Sequence, residues 1–307
     1  MTKRRILLKI EIFVLIFAVI LGSVTFVMNE KSGISTFHNI QNNNNIDIVF
    51  CGTSHMLNGL LPLELYKNYG IAAYNISTSG QPFKSSCEVL KDAILHNNLK
   101  LVVIDLLAIT WEFGDETSWE KIHPYYHRVT DNFCYLSKIK AAYNITSHSV
   151  NNNFHEFYEI MNPSYRLHSK FLSLKKYNFF YDNFQNGSSL LFSHKECSAP
   201  EIVPIEKSKR LLNLREKELL QIIEITRKNN IKLLFTVLPY DKSYINRVID
   251  FSNKAINNIE CAQKFYNKVY EITLQNKDNI SLINYFHCYK DASFDFSKDM
   301  ANIDHLN

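Results

Sequence analysis

A serine that directly follows a short apolar run is the first candidate for chemistry. The run IDIVF at residues 46–50 leads into the turn CGTSH at residues 51–55, which contains Ser54. A serine at the carboxyl end of a buried parallel strand projects into the crevice where open α/β sheets bind ligands. Its hydroxyl becomes a nucleophile once a neighbouring base takes its proton. The structural alternative is that this serine only caps the helix that follows.

Two further segments carry groups that complement a serine nucleophile. The turn STSGQP at residues 77–82 contains Gly80, and a glycine there permits close backbone approach. The free N–H groups of a following helix can stabilise an oxyanion. The segment DMANIDHLN at residues 299–307 contains His305 beside Asp304, a pair suited to general-base catalysis. The alternative for the Gly80 segment is an ordinary strand–helix turn. The alternative for His305 is a solvent-exposed, inert histidine.

The elements that must position these groups are predicted from apolar periodicity. The apolar runs are separated by helical patterns at 62–69, 83–97, 209–229 and 254–275. Gly70 is predicted to end the first of these helices. This alternation predicts right-handed βαβ units and a three-layer α/β fold with a five-stranded, mainly parallel sheet. The predicted strands are 46–50, 71–77, 101–108, 231–238 and 280–286. Parallel strands end on the same edge, so we expect Ser54, Gly80 and His305 to meet there.

The middle of the chain interrupts this rhythm. Residues from about 109 to 205 are rich in Tyr, Phe, His and Asn and contain no long apolar strand. We expect a mostly helical insertion at the carboxyl edge of the sheet, where loops line the ligand crevice. A second packing layer without a function is the alternative. The predicted domain occupies residues 46–307, after a polar linker at 30–45.

The first 29 residues predict a cytoplasmic tip and a transmembrane anchor. Residues Ile12–Met28 form a run of seventeen residues without a charge, and a bilayer core needs about 17–25 apolar residues. The basic cluster before the run predicts a cytoplasmic N-terminus and a domain outside the cytoplasm. The run itself is predicted to lie in the cell membrane. A cleaved signal peptide is the alternative, although no A-x-A-like cleavage site follows the run.

Charge and cysteine content exclude several classes of function. The formal net charge is +4, and the first eleven residues contribute most of it, so nucleic-acid binding is not expected. None of the six cysteines forms a C-x-x-C pair, which argues against a zinc ribbon or a thioredoxin motif. We predict small core cysteines, with a disulfide left open, and neither a metal nor a cofactor.

Together, the segments IDIVFCGTSHMLNGLLP, AAYNISTSGQP, LLFTVLPY and DHLN resemble the SGNH/GDSL hydrolase superfamily. They look most like its membrane-anchored branch, which includes proteins similar to teichoic-acid D-alanyl transfer and alginate O-acetylation proteins. The resemblance covers about residues 46–108 and 209–307. It implies that Ser54 is the nucleophile, that His305 is the base, and that Gly80 is the second oxyanion position, beside the backbone N–H of the Ser54 turn.

The sequence departs from that branch at two positions. The acid typically lies three residues before the histidine, where this chain has Asn302. Asp304 is the predicted substitute, and Asp299 or Asn302 is the alternative group that orients the imidazole. The asparagine expected after the third strand has no clear counterpart, since Thr110 and Trp111 occupy that region.

The resemblance implies serine-dependent acyl-ester chemistry outside the cytoplasm, by an O-acyltransferase or esterase. The expected substrate is a cell-envelope polysaccharide or another acyl ester, and the expected partner is a multi-pass membrane acyltransferase. The alternative is a non-catalytic, SGNH-like envelope protein that binds glycan or supports an acylation assembly.

Overall fold

The computed structural model describes residues 3–31, 45–78, 80–106, 126, 129–130, 133, 135–147, 153–161, 184–185, 188–189, 205–239 and 266–285. Its strands are β1 (Ile48–Cys51), β2 (Ala73–Asn75), β3 (Leu101–Asp105), β4 (Phe184–Gln185), β5 (Ser188–Ser189), β6 (Lys232–Val237) and β7 (Ile280–Asn284). Five of them form a sheet of order β2-β1-β3-β6-β7, in which every neighbouring pair is parallel. The predicted α/β fold with a five-stranded parallel sheet is confirmed.

The helices connect and flank these strands. They are α1 (Lys3–Lys31), α2 (Ser54–Gly59), α3 (Pro62–Tyr69), α4 (Phe83–His96), α5 (Tyr135–Thr146), α6 (Asn153–Met161), α7 (Ile205–Lys228) and α8 (266–275). The predicted end of α3 is confirmed, because Gly70 is in the left-handed region at φ 68° and its N–H bonds Tyr66 O at 2.9 Å.

One face of the sheet carries the large apolar core. Side chains such as Val102 and Phe235 point to this face from the strands, while Leu90 of α4 and Ile222 of α7 cover them. The apolar residues of α4 recur at three- and four-residue intervals, so they form the stripe that a helix buries against a sheet. We call this side the α4 face.

The opposite face carries a smaller apolar cluster. It joins Phe50 of β1 and Val103 of β3 to Met56 of α2, with the partly buried Leu65 of α3 packed against them. Side chains alternate along a strand, so residues that follow Phe50 and Val103 by two positions also belong to this side. We call it the α2 face. Helices therefore lie on both faces of the sheet.

The segment between β3 and α7 contributes α5, α6 and the antiparallel pair β4–β5. Helix α5 packs against both α4 and α6, and β5 contacts α2. Part of the predicted insertion therefore lies beside the helix that carries Ser54. The domain limits assigned to this segment stay predictions.

The N-terminal residues form one long helix. Helix α1 contains the whole apolar run at 12–28, and large apolar side chains on successive positions are exposed, among them Phe13 at 68% and Leu15 at 65%. Among the residues described, however, no helix meets the combined length and apolarity needed to cross a membrane. The predicted transmembrane helix is thus not found there.

Candidate active site

The turn after β1 places Ser54 at the first position of α2. The preceding residue, Thr53, is the N-cap, and its side-chain oxygen accepts a hydrogen bond from His55 N at 3.4 Å. The Thr53 carbonyl accepts from Leu57 N at 3.0 Å, which closes the first helical turn. Asn58 Nδ2 donates to Ser54 O at 2.7 Å. The capping role that competes with catalysis at Ser54 thus belongs to Thr53.

Gly52 is required by the close approach of β3. A Cβ added at Gly52 would lie 2.6 Å from Asp105 Cβ and 3.0 Å from Met56 Cβ. Both neighbours are fixed Cβ atoms and cannot rotate away. A larger residue would therefore push apart β1, β3 and α2, and with them the turn that holds Ser54.

Asp105 is a site residue that the sequence reasoning missed. It ends β3 on the α2 face, is fully buried, and accepts a hydrogen bond from Thr53 Oγ1 to its Oδ2 at 3.1 Å. The signal was present in the strand LVVID, because a carboxylate that ends a buried apolar strand needs polar partners. Its partner is the N-cap of the helix that begins with Ser54.

His55 belongs to the same buried polar group. The side chain is 2% exposed, and its Nδ1 lies 3.1 Å from Thr53 Oγ1. Thr53 therefore stands between the imidazole of His55 and the carboxylate of Asp105. The sequence pattern alone assigns no role to His55.

The Gly80 turn is joined directly to the Ser54 turn. Thr78 N donates to Gly52 O at 3.3 Å, and Gln81 Nε2 donates to Cys51 Sγ at 3.2 Å. Gly80 has φ +67°, a conformation that glycine adopts without steric cost. These bonds hold the two predicted site segments side by side, while the role of Gly80 in an oxyanion hole stays a prediction.

Asn75, a second residue that the sequence reasoning missed, secures the other end of α2. Its Nδ2 donates to Met56 O at 2.7 Å and to Leu60 O at 3.3 Å, and its Oδ1 accepts from Ser77 N at 3.1 Å. Met56 O also accepts from Leu60 N at 3.4 Å, and the buried amide adds a second donor at this end of the helix, where carbonyls have few partners. The same side chain therefore links α2 to the start of the Gly80 turn.

The strand order identifies the crevice in which these groups lie. The chain passes from β1 to β2 on one side and then to β3 on the other side of β1. The connections therefore leave in opposite directions between β1 and β3, and ligands of open α/β sheets bind outside the strand ends at such a point. Cys51 pairs with Ile104 in register, so β1, which leads into the Ser54 turn, and β3, which ends in Asp105, end at nearly the same level of the sheet.

Burial disfavours the thiolate form of the two cysteines in the described part of the chain. Cys51 and Cys87 are free thiols within the large apolar cluster. Burial raises the pKa of the Cys51 thiol to about 12, and it raises the pKa of the Cys87 thiol well above the usual value. The residues described also contain no group of three His, Cys, Asp or Glu side chains placed to hold a metal.

Several predicted site residues lie outside the described residues. They are the base His305, its predicted acid Asp304, and the alternative orienting groups Asn302 and Asp299. Thr110, Trp111 and the four remaining cysteines also lie outside. The expected meeting of Ser54 with His305 therefore stays a prediction.

Comparison with known proteins adds no family assignment. No protein-family model matches the chain, and no curated protein matches it.

Proposed function

We propose that the protein is an SGNH-like, serine-dependent O-acyltransferase or esterase that acts on acyl esters of a cell-envelope polysaccharide. One observation carries the proposal. Ser54 opens α2 at the switch point of a parallel sheet, and Thr53 takes over the capping role that would otherwise explain a serine there. A hydroxyl so placed suits nucleophilic attack on a ligand bound in the crevice.

The proposed reaction has two acyl transfers. Ser54 Oγ attacks the carbonyl carbon of an acyl ester, its proton goes to the base, and the alcohol of the donor leaves with a proton. A glycan hydroxyl or water then attacks the acyl-serine, and Ser54 regains its proton. The first acceptor gives a new ester, and the second gives a carboxylic acid.

His305 is the proposed base, with Asp304 as the residue that orients its imidazole and Asn302 or Asp299 as the alternatives. The turn containing Gly80, tied to Gly52 through Thr78, is the proposed source of the second oxyanion donor. Such donors act on the charge that develops in the transition state. No cofactor enters this scheme.

We further propose that lipid covers the apolar residues of α1 and holds the domain at the outer side of the cell membrane. The support is the run of exposed apolar side chains on successive positions of α1, together with the basic residues that precede it. A multi-pass membrane acyltransferase is the proposed source of acyl groups.

Labelling with a fluorophosphonate tests the reaction directly, because this reagent reacts with activated serines. The full-length protein should become labelled, and peptide mapping should place the label on Ser54. Ser54→Ala should lose the label and lower ester turnover by at least about 10³-fold. Ser147→Ala, at the end of α5, is the matched control and should retain both.

The opposite result has an equally definite meaning. An intact, folded protein that gives no label at Ser54 and no ester turnover would overturn the enzyme proposal. The non-catalytic, glycan-binding alternative would then take its place.

Membrane topology has a separate test. Protease added to spheroplasts should digest the domain while the membrane remains sealed. Protection of the domain until lysis would refute the proposed orientation, and recovery of the domain in the soluble fraction would refute attachment through α1.

A further inference from the structure

Three buried polar side chains, Asp105, Thr53 and His55, are joined in a row that ends next to Ser54 in the sequence. We call this row the relay. Thr53 Oγ1 donates to Asp105 Oδ2 at 3.1 Å, and the same oxygen lies 3.1 Å from His55 Nδ1. Asp105 is 0% exposed, and Thr53 and His55 are each 2% exposed. Bulk water is therefore excluded from the contacts that join them.

Counting the protons shows which atom donates and which accepts in each hydrogen bond of the relay. Thr53 Oγ1 is the donor and Asp105 Oδ2 the acceptor in their hydrogen bond, and a threonine hydroxyl has one proton to donate and two lone pairs that accept. The single proton of Thr53 is directed to Asp105. Thr53 Oγ1 can then only accept from His55 Nδ1, so this ring nitrogen must carry a proton.

The relay connects the end of β3 to the turn that contains Ser54. Asp105 lies on β3, which is 52 residues away along the chain from Thr53. Thr53 is the N-cap of α2, and His55 follows Ser54 in its first turn. The Thr53 hydroxyl is therefore the contact through which the Asp105 carboxylate acts on His55, the residue after Ser54.

We propose that Asp105 and Thr53 are positioning residues that fix His55 as the Nδ1–H tautomer, with Nε2 as its acceptor nitrogen. The hydrogen bond made by one ring nitrogen decides which nitrogen carries the proton. The relay places a hydrogen-bond acceptor, rather than a donor, at His55 Nε2. Its importance for acyl transfer rests on the proposed function, whereas the tautomer itself does not.

The tautomer can be observed by NMR on the full chain, with histidine labelled with ¹⁵N and the protein held in detergent micelles. Long-range ¹H–¹⁵N spectra distinguish a protonated ring nitrogen from an unprotonated one. His55→Gln identifies the His55 signals among those of the eleven histidines. The expected wild-type pattern has a protonated Nδ1 and an unprotonated Nε2.

Thr53→Val is the decisive variant, because it replaces the hydroxyl by a methyl group of similar size. Its His55 pattern should shift towards the Nε2–H form, and Thr53→Ser should restore the Nδ1–H form. Thr78→Val is the matched control, since the Thr78 hydroxyl bonds Gln81 Oε1 in the neighbouring turn. It should leave the His55 signals unchanged.

Asp105 is tested by a pair of variants. Asp105→Asn keeps an acceptor oxygen and should keep the Nδ1–H form. Asp105→Leu removes the acceptor, so the Thr53 proton becomes available to His55 Nδ1 and the Nδ1–H form should be lost. Should the leucine variant fail to fold, Thr53→Val still decides the question.

Two results would overturn the relay. One is an Nε2–H tautomer in the wild type, which would mean that Thr53 donates to His55 and not to Asp105. The other is an unchanged Nδ1–H pattern in Thr53→Val. Fluorophosphonate labelling of Ser54 is read separately, so loss of the relay and loss of the proposed function are distinguishable outcomes.

Discussion

The two faces of the sheet are stabilised by different interactions. On the α4 face, strand residues such as Val102 and Phe235 are covered by apolar side chains of α4 and α7. On the α2 face the apolar cluster is small, β2 ends in Asn75, β3 ends in Asp105, and Gly52 directly follows β1. Burial on the first face is non-directional, whereas hydrogen bonds and close contacts on the second fix particular orientations. The turn of the candidate site is therefore held on the α2 face by hydrogen bonds and close contacts more than by a large apolar cluster.

The largest expected effect comes from the α4 face. Phe235→Ala should lower the free energy of unfolding by about 3–5 kcal/mol, because Phe235 is fully buried and its loss leaves a cavity. Denaturant titration of the full chain measures this change. Leu234→Ala, one residue earlier and directed to the α2 face, is the matched control and should cost less. Equal losses would contradict the proposed difference between the faces.

A smaller loss is expected where β1 approaches β3. Gly52→Ala should destabilise the fold by about 1–3 kcal/mol, because the new Cβ overlaps Asp105 Cβ. The thermal unfolding midpoint should fall accordingly. Adding Asp105→Gly removes the opposing Cβ, so the double variant should lose less stability than the sum of the two single changes. Strict additivity would show that this contact does not cause the strain.

Loss of the amide that holds α2 should have a similar or smaller cost. Asn75→Ala should lower the free energy of unfolding by about 1–3 kcal/mol, because Met56 O and Leu60 O lose a buried donor. Asn229→Ala is the control. It removes an exposed hydrogen bond from the Asn229 side-chain amide to Ile225 O and should change the free energy of unfolding by less than about 0.5 kcal/mol. If both variants had the same effect, the buried amide would not secure α2.

Alkaline pH should reveal the buried thiols of the α4 face. The Cys51 pKa is about 12 in the folded state, against 9.0 for an ordinary thiol. Between these values the unfolded chain binds fewer protons than the folded one, so stability should fall as pH rises from 9 towards 12. The slope is about 1.4 kcal/mol per pH unit for each such thiol.

Cys51→Ala isolates this effect from the other groups that titrate at alkaline pH. Its unfolding free energy should decline less steeply above pH 9 than that of the wild type, whatever its absolute stability. Parallel pH profiles would show that the Cys51 thiol ionises as easily in the folded protein as in the unfolded chain.

The smallest expected effect is the stability change at Ser54. Ser54→Ala should alter the free energy of unfolding by less than about 0.5 kcal/mol, because the residue does not cap α2. Thr53→Ala should cost about 0.5–2 kcal/mol, since it removes the N-cap. A large loss in the first variant with none in the second would reverse these two roles.

The sequence by itself determined the five strands of the main sheet and the glycine that ends α3. Apolar runs bounded by turn residues predicted all five strands, and the structure has them at 48–51, 73–75, 101–105, 232–237 and 280–284. The end of α3 at Gly70 followed from the left-handed conformation that a glycine favours there. These features depend on neighbours within a few residues, which periodicity and turn chemistry report directly.

Only the tertiary structure decided how the site is held. Asp105 lies 52 residues from Thr53, and Asn75 lies 19 residues from Met56, so neither pair has a local pattern. The assignment of the cap to Thr53 instead of Ser54 also depended on geometry, because both residues are suitable N-caps. A hydrogen bond between distant residues forms only when the sheet brings their strand ends together, and that register is a property of the whole fold.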